Sequence, residues 1–278
     1  MEDLKSLKLI DHLVSGDEFQ LIWNNHHQCY ETSPTPGNLD KYYDSAAYIS
    51  HTDNTDTIMA RIYQRAKQIN LNHKLKLVRR YCGRIGKLMD IGAGTGDFVK
   101  YAQDRNWEAY GIEPNDLARE LAHKKGVPVY KNISVQREAI YDVVTLWHVL
   151  EHLPNLDMQV EAISKTLKKD GWIILAVPNY KSLDATYYKD NWAAYDVPRH
   201  LWHFSKDSIN TIFKDRGYSL RSVKPLLLDA FYISWLSETY KRNPLAPLAG
   251  ALLGMASNSY GLFSGEYSSH VYILQRTD

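Results

Sequence analysis

The chain has 278 residues, 44% hydrophobic and 23% charged, enough apolar material for one elaborated α/β domain or two small ones and too much for a disordered or fibrous chain. Its 33 Lys and Arg against 32 Asp and Glu leave no global field to gather a polyanion, so no nucleic-acid partner is expected. Two cysteines far apart in sequence, Cys29 and Cys82, exclude a zinc ribbon and a disulfide framework and read as reduced thiols.

The opening residues, MEDLKSLKLIDHL, carry charge throughout and lack the apolar run and cleavage site of a secretory leader, which places the protein in the cytoplasm. Residues 1–84 read as a separate helical cap: a turn at SPTPGN, a tyrosine-rich KYYDSAAYISH, then a basic helix from about Asp56 to Arg80. From Lys87 onward short β-branched runs alternate with helical stretches: KLMDIG, WEAYGIE, VPVY, YDVVTLW and WIILAVP. This is the pattern of βαβ units around a parallel sheet. The runs Val143–Leu146 and Ile173–Val177 are apolar without strict alternation, as central strands covered on both faces require. A polar and aromatic loop, Asn179–Phe204, precedes a helix capped by Ser205 and ending at Gly217. A sixth strand near Tyr218–Leu226 and a last one, SSHVYILQR, bracket an insertion from Asp229 to Gly265 that reads as two helices. Its longest apolar stretch, Leu245–Ala256, contains a proline and falls short of the roughly 20 residues needed to cross a bilayer, so no transmembrane segment is expected. The chain divides into a cap over 1–84 and an α/β domain over 85–278.

Asp90-Ile-Gly-Ala-Gly-Thr-Gly-Asp97 lies where the first strand of that sheet hands over to a helix. Glycine at alternate positions 92, 94 and 96 permits positive φ and lets a ligand pack against bare backbone. A dinucleotide fingerprint would place its third glycine one residue later, where Asp97 stands, and carboxylates bracketing the turn disfavour a pyrophosphate. S-adenosylmethionine (SAM) suits the turn better, with a sulfonium, an α-amino group, a carboxylate and a ribose but no phosphate. About twenty residues beyond the first glycine, YGIEP ends the second strand with Glu113, placed to take both ribose hydroxyls.

DIGAGTGDF resembles the first motif of the class I SAM-dependent methyltransferases, and YGIEP the second. YDVVTLWHVLEHLPN followed by GWIILAVPN resembles the fourth and fifth strands of the branch that includes quinone-biosynthesis O-methyltransferases, and the similarity runs over about Lys87 to Leu226. The resemblance implies an α/β fold with a seven-stranded, Rossmann-like class I sheet, here with the N-terminal helical cap and a helical insertion before the last strand. It also implies SAM as donor and S-adenosylhomocysteine as product. Carried over by position, Gly92, Gly94 and Gly96 would face the methionine half and ribose, with Asp90 and Ala93 beside them. Glu113 and Pro114 would meet the ribose, Asn132 and Ile133 the adenine, and His148 the methionine portion. In the cap, Tyr42, Tyr43, Tyr48 and His51 offer rings that attract a sulfonium through the cation–π effect, and Tyr48 and His51 are assigned to the donor site.

His148-Val-Leu-Glu151-His152 also matches the HxxEH motif of inverted zincin peptidases, which needs a long helix and a third ligand downstream; here it follows a buried strand and precedes Pro154. In the quinone methyltransferases that the segment resembles, Glu151 and His152 would bind a divalent ion that orients the acceptor. His148 stands where that group has an acid, and no metal is assigned. A second cluster, Asp196-Val-Pro-Arg199-His200-Leu-Trp-His203, follows the fifth strand on the rim where acceptors approach in this fold. Tyr195, Arg199 and His203 are expected to bind the acceptor, and His152 or His200 to act as base. The acceptor is a small molecule, a glycan or a lipid-like compound, methylated on O or N. A SAM-binding protein without catalysis is the competing reading. The apolar insertion is a candidate acceptor pocket, homodimer face or membrane-docking surface.

Overall fold

A computed structural model describes residues 7–42, 58–135 and 139–277. Two sheets organise them. The larger is built from β4 (Lys87–Ile91), β5 (Glu108–Ile112), β6 (Val129–Tyr130), β7 (Tyr141–Trp147), β8 (Leu167–Pro178), β10 (Tyr218–Pro225) and β11 (Ser269–Arg276). Its strand order is β10-β11-β8-β7-β4-β5-β6; β4 to β8 pair in parallel, while β11 runs antiparallel to both β8 and β10. The order reverses at β4, with β5 on one side and β7 on the other, which puts a crevice at the carboxyl ends of β4 and β7.

Alternate residues of the central strands feed opposite cores. On one face Met89, Val144, Leu146, Ile173 and Leu175 meet α4 (Leu156–Thr166) and α6 (Lys206–Lys214) through Val160, Ile163, Ile209, Ile212 and Phe213. On the other, Leu88, Val143, Ile174 and Ala176 meet α1 (Ile58–Cys82) and α2 (Asp97–Gln103) through Leu71, Leu75, Val78, Phe98 and Val99. Helix α3 (Asp116–Lys124) follows β5, its first turn capped by the Asn115 side chain on Ala118 N. Helix α6 opens with a reciprocal cap between Ser205 and Ser208, as expected at Ser205.

The reading of 1–84 as a helical cap is corrected over residues 8–33. There β1 (Lys8–Ile10), β2 (Glu18–Asn24) and β3 (Cys29–Ser33) form an antiparallel meander. Strand β2 alternates in EFQL, with Phe19 and Leu21 buried between exposed neighbours, a period of two that no helix satisfies. The basic helix expected from Asp56 to Arg80 is α1.

Asn179–Phe204 is likewise no surface loop. It carries the short helix α5 (Leu183–Tyr188), two 3-10 turns and β9 (Trp202–His203), and β9 pairs with β3 to complete a four-stranded sheet in the order β1-β2-β3-β9. Leu9, Phe19 and Leu21 bury against Trp192, Tyr195 and Val197, which fastens the N-terminal sheet to the segment leaving β8. The insertion before β11 is a pair of helices, α7 (Leu227–Tyr240) and α8 (Ala246–Ser264), as expected.

Candidate functional site

The glycine turn joins β4 to α2. Gly92 N and Ala93 N both donate to Ile112 O, at 2.8 and 3.0 Å, which ties the turn to the end of β5. A Cβ at Gly92 would lie 2.3 Å from a Val149 methyl, so side-chain-free backbone is needed there for packing. Gly94 differs: its φ is +53° and a Cβ there would meet nothing within 4 Å, so open space lies over the turn. Gly94 N donates to Glu113 Oε2 and Asn115 N to Glu113 Oε1, both at 2.9 Å. Two main-chain donors thus fix the carboxylate beside the open space while each oxygen keeps lone pairs for further donors.

The two acids bracketing the turn have different fates. Asp97 is turned to Lys67 at 2.8 Å, Lys125 at 3.0 Å and the Thr95 hydroxyl at 2.9 Å. Burial would raise its pKa, but the two lysines outweigh it and hold it low, so the expected acidic bracket is spent on that side. Asp90 is buried and accepts from Thr145 Oγ1 at 2.6 Å. Burial pushes it up to about 6 against the opposing pull of Thr145 and Lys74.

Lys74 and Asp229 complete the electrostatics and were not anticipated. The Lys74 ammonium lies 4.7 Å from the Trp147 ring centroid; burial lowers its pKa, and Asp90 and Asp229 oppose that. Its place was legible, because Lys74 shares the face of α1 that buries Leu71, Leu75 and Val78. Asp229 Oδ2 lies 3.1 Å from His148 Nε2, and Glu151 Oε1 lies 3.4 Å from His148 Nδ1. Burial alone would lower His148; Asp229 and Glu151 outweigh it and raise it, so the imidazolium bridges two acids. His148 holds φ +57°, a strained conformation for a residue with a Cβ.

Beyond it, Leu150–His152 is a single 3-10 turn. The inverted-zincin reading needs both histidines of HxxEH on one helix, so this geometry overturns it. His152 Nδ1 meets Arg199 O at 3.0 Å and His200 Nδ1 meets Ala194 O at 2.8 Å. A carbonyl only accepts, so Nδ1 carries the proton in both rings and Nε2 is the basic nitrogen of the neutral tautomer. The rings lie 4.5 Å apart, edge to face. Burial, then His200, lowers His152 to about 4. Glu151, His152 and His200 bring one donor atom each within 4.8 Å of one another, an arrangement that can share a proton or ligate a cation.

The expected acceptor-binding trio is not exposed. Arg199 is 1% exposed, with Nη2 on Asp11 at 2.9 Å and Asp196 at 2.7 Å and Nη1 on Tyr42 O at 3.2 Å. Tyr195 is buried between Trp192 and His203. His203, whose pKa burial lowers, meets Thr32 Oγ1 at 2.9 Å. All three hold the N-terminal sheet to the segment after β8, and their assignment to the acceptor is corrected on that ground. Asn132 and Pro114 are exposed, and Ile133 packs on the core. Tyr43, Tyr48 and His51 lie outside the described residues, whereas Tyr42 is buried and donates to Asp17 at 2.8 Å.

Residues 56–223 match a family model described as a methyltransferase domain. The ubiquinone biosynthesis O-methyltransferase of Chromobacterium violaceum is 27% identical over 117 residues, 38% of this chain and 50% of the relative. That of Photorhabdus laumondii is 25% identical over 166 residues, 54% of this chain and 66% of the relative. The chain thus spans between half and two thirds of the length of these curated relatives. A crystal structure of a SAM-dependent methyltransferase from Archaeoglobus fulgidus superposes with a TM-score of 0.51 at 18% identity, covering 73% of this chain and 92% of that one, a likeness of fold.

Proposed function

This chain belongs to the class I methyltransferases that draw their methyl group from SAM, and we propose that it delivers that group to an oxygen or nitrogen of a small-molecule, glycan or lipid-like acceptor in the cytoplasm. The observation that carries the reading is the open space over Gly94, flanked by the Glu113 carboxylate, with Asp90 buried in the field of both Glu113 and Lys74. The donor set fits SAM: Glu113 would take the ribose hydroxyls, Asp90 would favour the α-ammonium, and Lys74 would favour the carboxylate. Asn132 and Ile133 would border the adenine, and His148 would adjoin the methionine portion from its strained position after β7.

SAM supplies a methyl carbon already activated by its sulfonium and leaves as the thioether S-adenosylhomocysteine. The protein's part is alignment, exclusion of water and removal of one proton. His152 is half-buried and stays neutral at pH 7, with Nε2 as its basic nitrogen. A base this weak suits an acceptor that becomes strongly acidic only as the new bond to carbon forms, such as a phenolic or alcoholic O–H. His200, ring against ring, holds His152 in place and stands next to receive the proton. The relatives named for ubiquinone biosynthesis make aromatic hydroxyl compounds the first acceptor class to test.

The test is S-adenosylhomocysteine formation across catechols, quinols, sugars and amines. His152→Ala and His200→Ala should lower kcat by ~10²–10⁴-fold with donor Kd within about twofold of wild type. Binding of SAM without turnover on any acceptor would leave the protein a SAM-binding module.

A further inference from the structure

The hairpin of α7 and α8 has its side chains sorted the opposite way to a water-facing helix pair. Helix α8 has 19 residues and no charged one. Its inward positions are small, with Ala246, Gly250, Gly254, Ser257 and Gly261 buried. The backbones of the two helices touch: a Cβ at Gly250 would lie 2.5 Å from Trp235 Cα, and one at Gly254 2.8 Å from Phe231 Cα. The large apolar residues of α8 therefore point outward. Leu248, Leu252, Met255, Leu262 and Phe263 are 59% to 92% exposed. On α7, Leu228, Tyr232 and Trp235 form a second exposed stripe at positions i, i+4 and i+7. A helix face meeting water carries polar groups, and an apolar surface of this extent marks contact with something else.

Charge identifies the occupant. Residues 227–264 contain four charged groups: Asp229, Glu238, Lys241 and Arg242. Asp229 pairs inward with His148, and Glu238 is 4% exposed, bonded to Asn243 and 3.7 Å from the Lys241 ammonium, which it partly neutralises from below. Lys241 and Arg242, at the turn between the helices, are exposed. The charge presented by the hairpin is wholly positive, beside uncharged leucines and interface-seeking aromatics, which is complementary to anionic headgroups over hydrocarbon. Self-association is less well served, because a two-fold interface apposes the patch to itself and the hairpin has no exposed acid to meet Arg242 of a second copy. No helix of the described residues is long and apolar enough to cross a membrane, so contact is with the surface.

We propose that the α7–α8 hairpin docks this protein peripherally on an anionic lipid bilayer, with Leu252, Leu262 and Phe263 at headgroup depth and Lys241 and Arg242 against phosphates. Because α7 also carries Asp229, which pairs with His148 just past β7, the docked helix borders the crevice at the carboxyl end of β7. This inference stands apart from the identity of the acceptor.

The experiment is co-sedimentation of the full chain with vesicles of phosphatidylcholine alone and of phosphatidylcholine with phosphatidylglycerol at 3:1. Wild type should bind the mixed vesicles at least tenfold better and lose binding in 0.5 M salt. Lys241→Ala with Arg242→Ala should weaken binding at least fivefold, about the scale of one basic residue at an anionic surface, because Glu238 already offsets part of the Lys241 charge. Leu252→Ser with Leu262→Ser and Phe263→Ser should abolish it with the SAM Kd and melting temperature unchanged. Failure of wild type to bind mixed vesicles, or equal binding by the variants, overturns the proposal. It is equally overturned if wild type ignores vesicles and sediments as a dimer that the triple serine variant dissociates.

Discussion

Asp90→Asn separates what a buried charge costs the fold from what it gives the donor. Burial raises this carboxyl from 3.8 to about 6. Between those values the folded protein holds a proton that the unfolded chain has released, so stability falls as pH rises through the window and is flat on either side. Roughly two pH units at 1.36 kcal/mol each set the cost above pH 6 at about 3 kcal/mol. Asparagine keeps an acceptor for Thr145 Oγ1 without a charge to bury. The variant should gain up to that amount at pH 7.5 and nothing at pH 3.5, read from urea unfolding. Donor affinity should move the other way. If the α-ammonium needs ionised Asp90, wild type binds SAM about tenfold more tightly at pH 7.5 than at pH 5, while the asparagine variant binds weakly with no such dependence. Calorimetric titrations across that range read the difference. An asparagine variant less stable than wild type at pH 7.5, or a wild-type affinity independent of pH, refutes the reasoning.

Arg199→Ala should lower unfolding stability by ~3–5 kcal/mol, because Asp11 loses its buried partner. Donor Kd, measured while the variant is folded, should move less than twofold; a tenfold loss of donor affinity at unchanged stability would return Arg199 to ligand binding. Lys74→Gln should weaken SAM and S-adenosylhomocysteine alike by roughly tenfold, the scale of one charge-assisted hydrogen bond. Adenosine, lacking the carboxylate, should compete equally well against both proteins, and a loss of adenosine binding would contradict the role given to Lys74.

What the sequence disclosed follows from how local each determinant is. Strands β4, β7 and β8 are buried on both faces, so their apolar runs announced them, and the glycine turn was visible because its chemistry lies within eight consecutive residues. The alternation of EFQL in β2 was equally local, yet the helical reading of the N-terminal region passed over it. Arg199 and His203 were misread for a different reason. Their partners, Asp11 and Thr32, lie 188 and 171 residues away, and a titratable cluster looks like a binding site until its counter-charges are known. Asp97 repeats the lesson on a smaller scale, its charge answered by Lys67 and Lys125 from other elements. Lys74 carried a usable signal, a cation on the apolar face of its helix, whereas nothing near Asp229 in sequence marks it as the partner of His148.

The central claim is that the open space over Gly94 is where the donor sits. Titration of SAM into wild type and Gly94→Trp by calorimetry tests it most directly, with circular dichroism to show that both are folded. Wild type should bind one equivalent and the tryptophan variant none. Equal affinity in a folded Gly94→Trp protein would contradict the account.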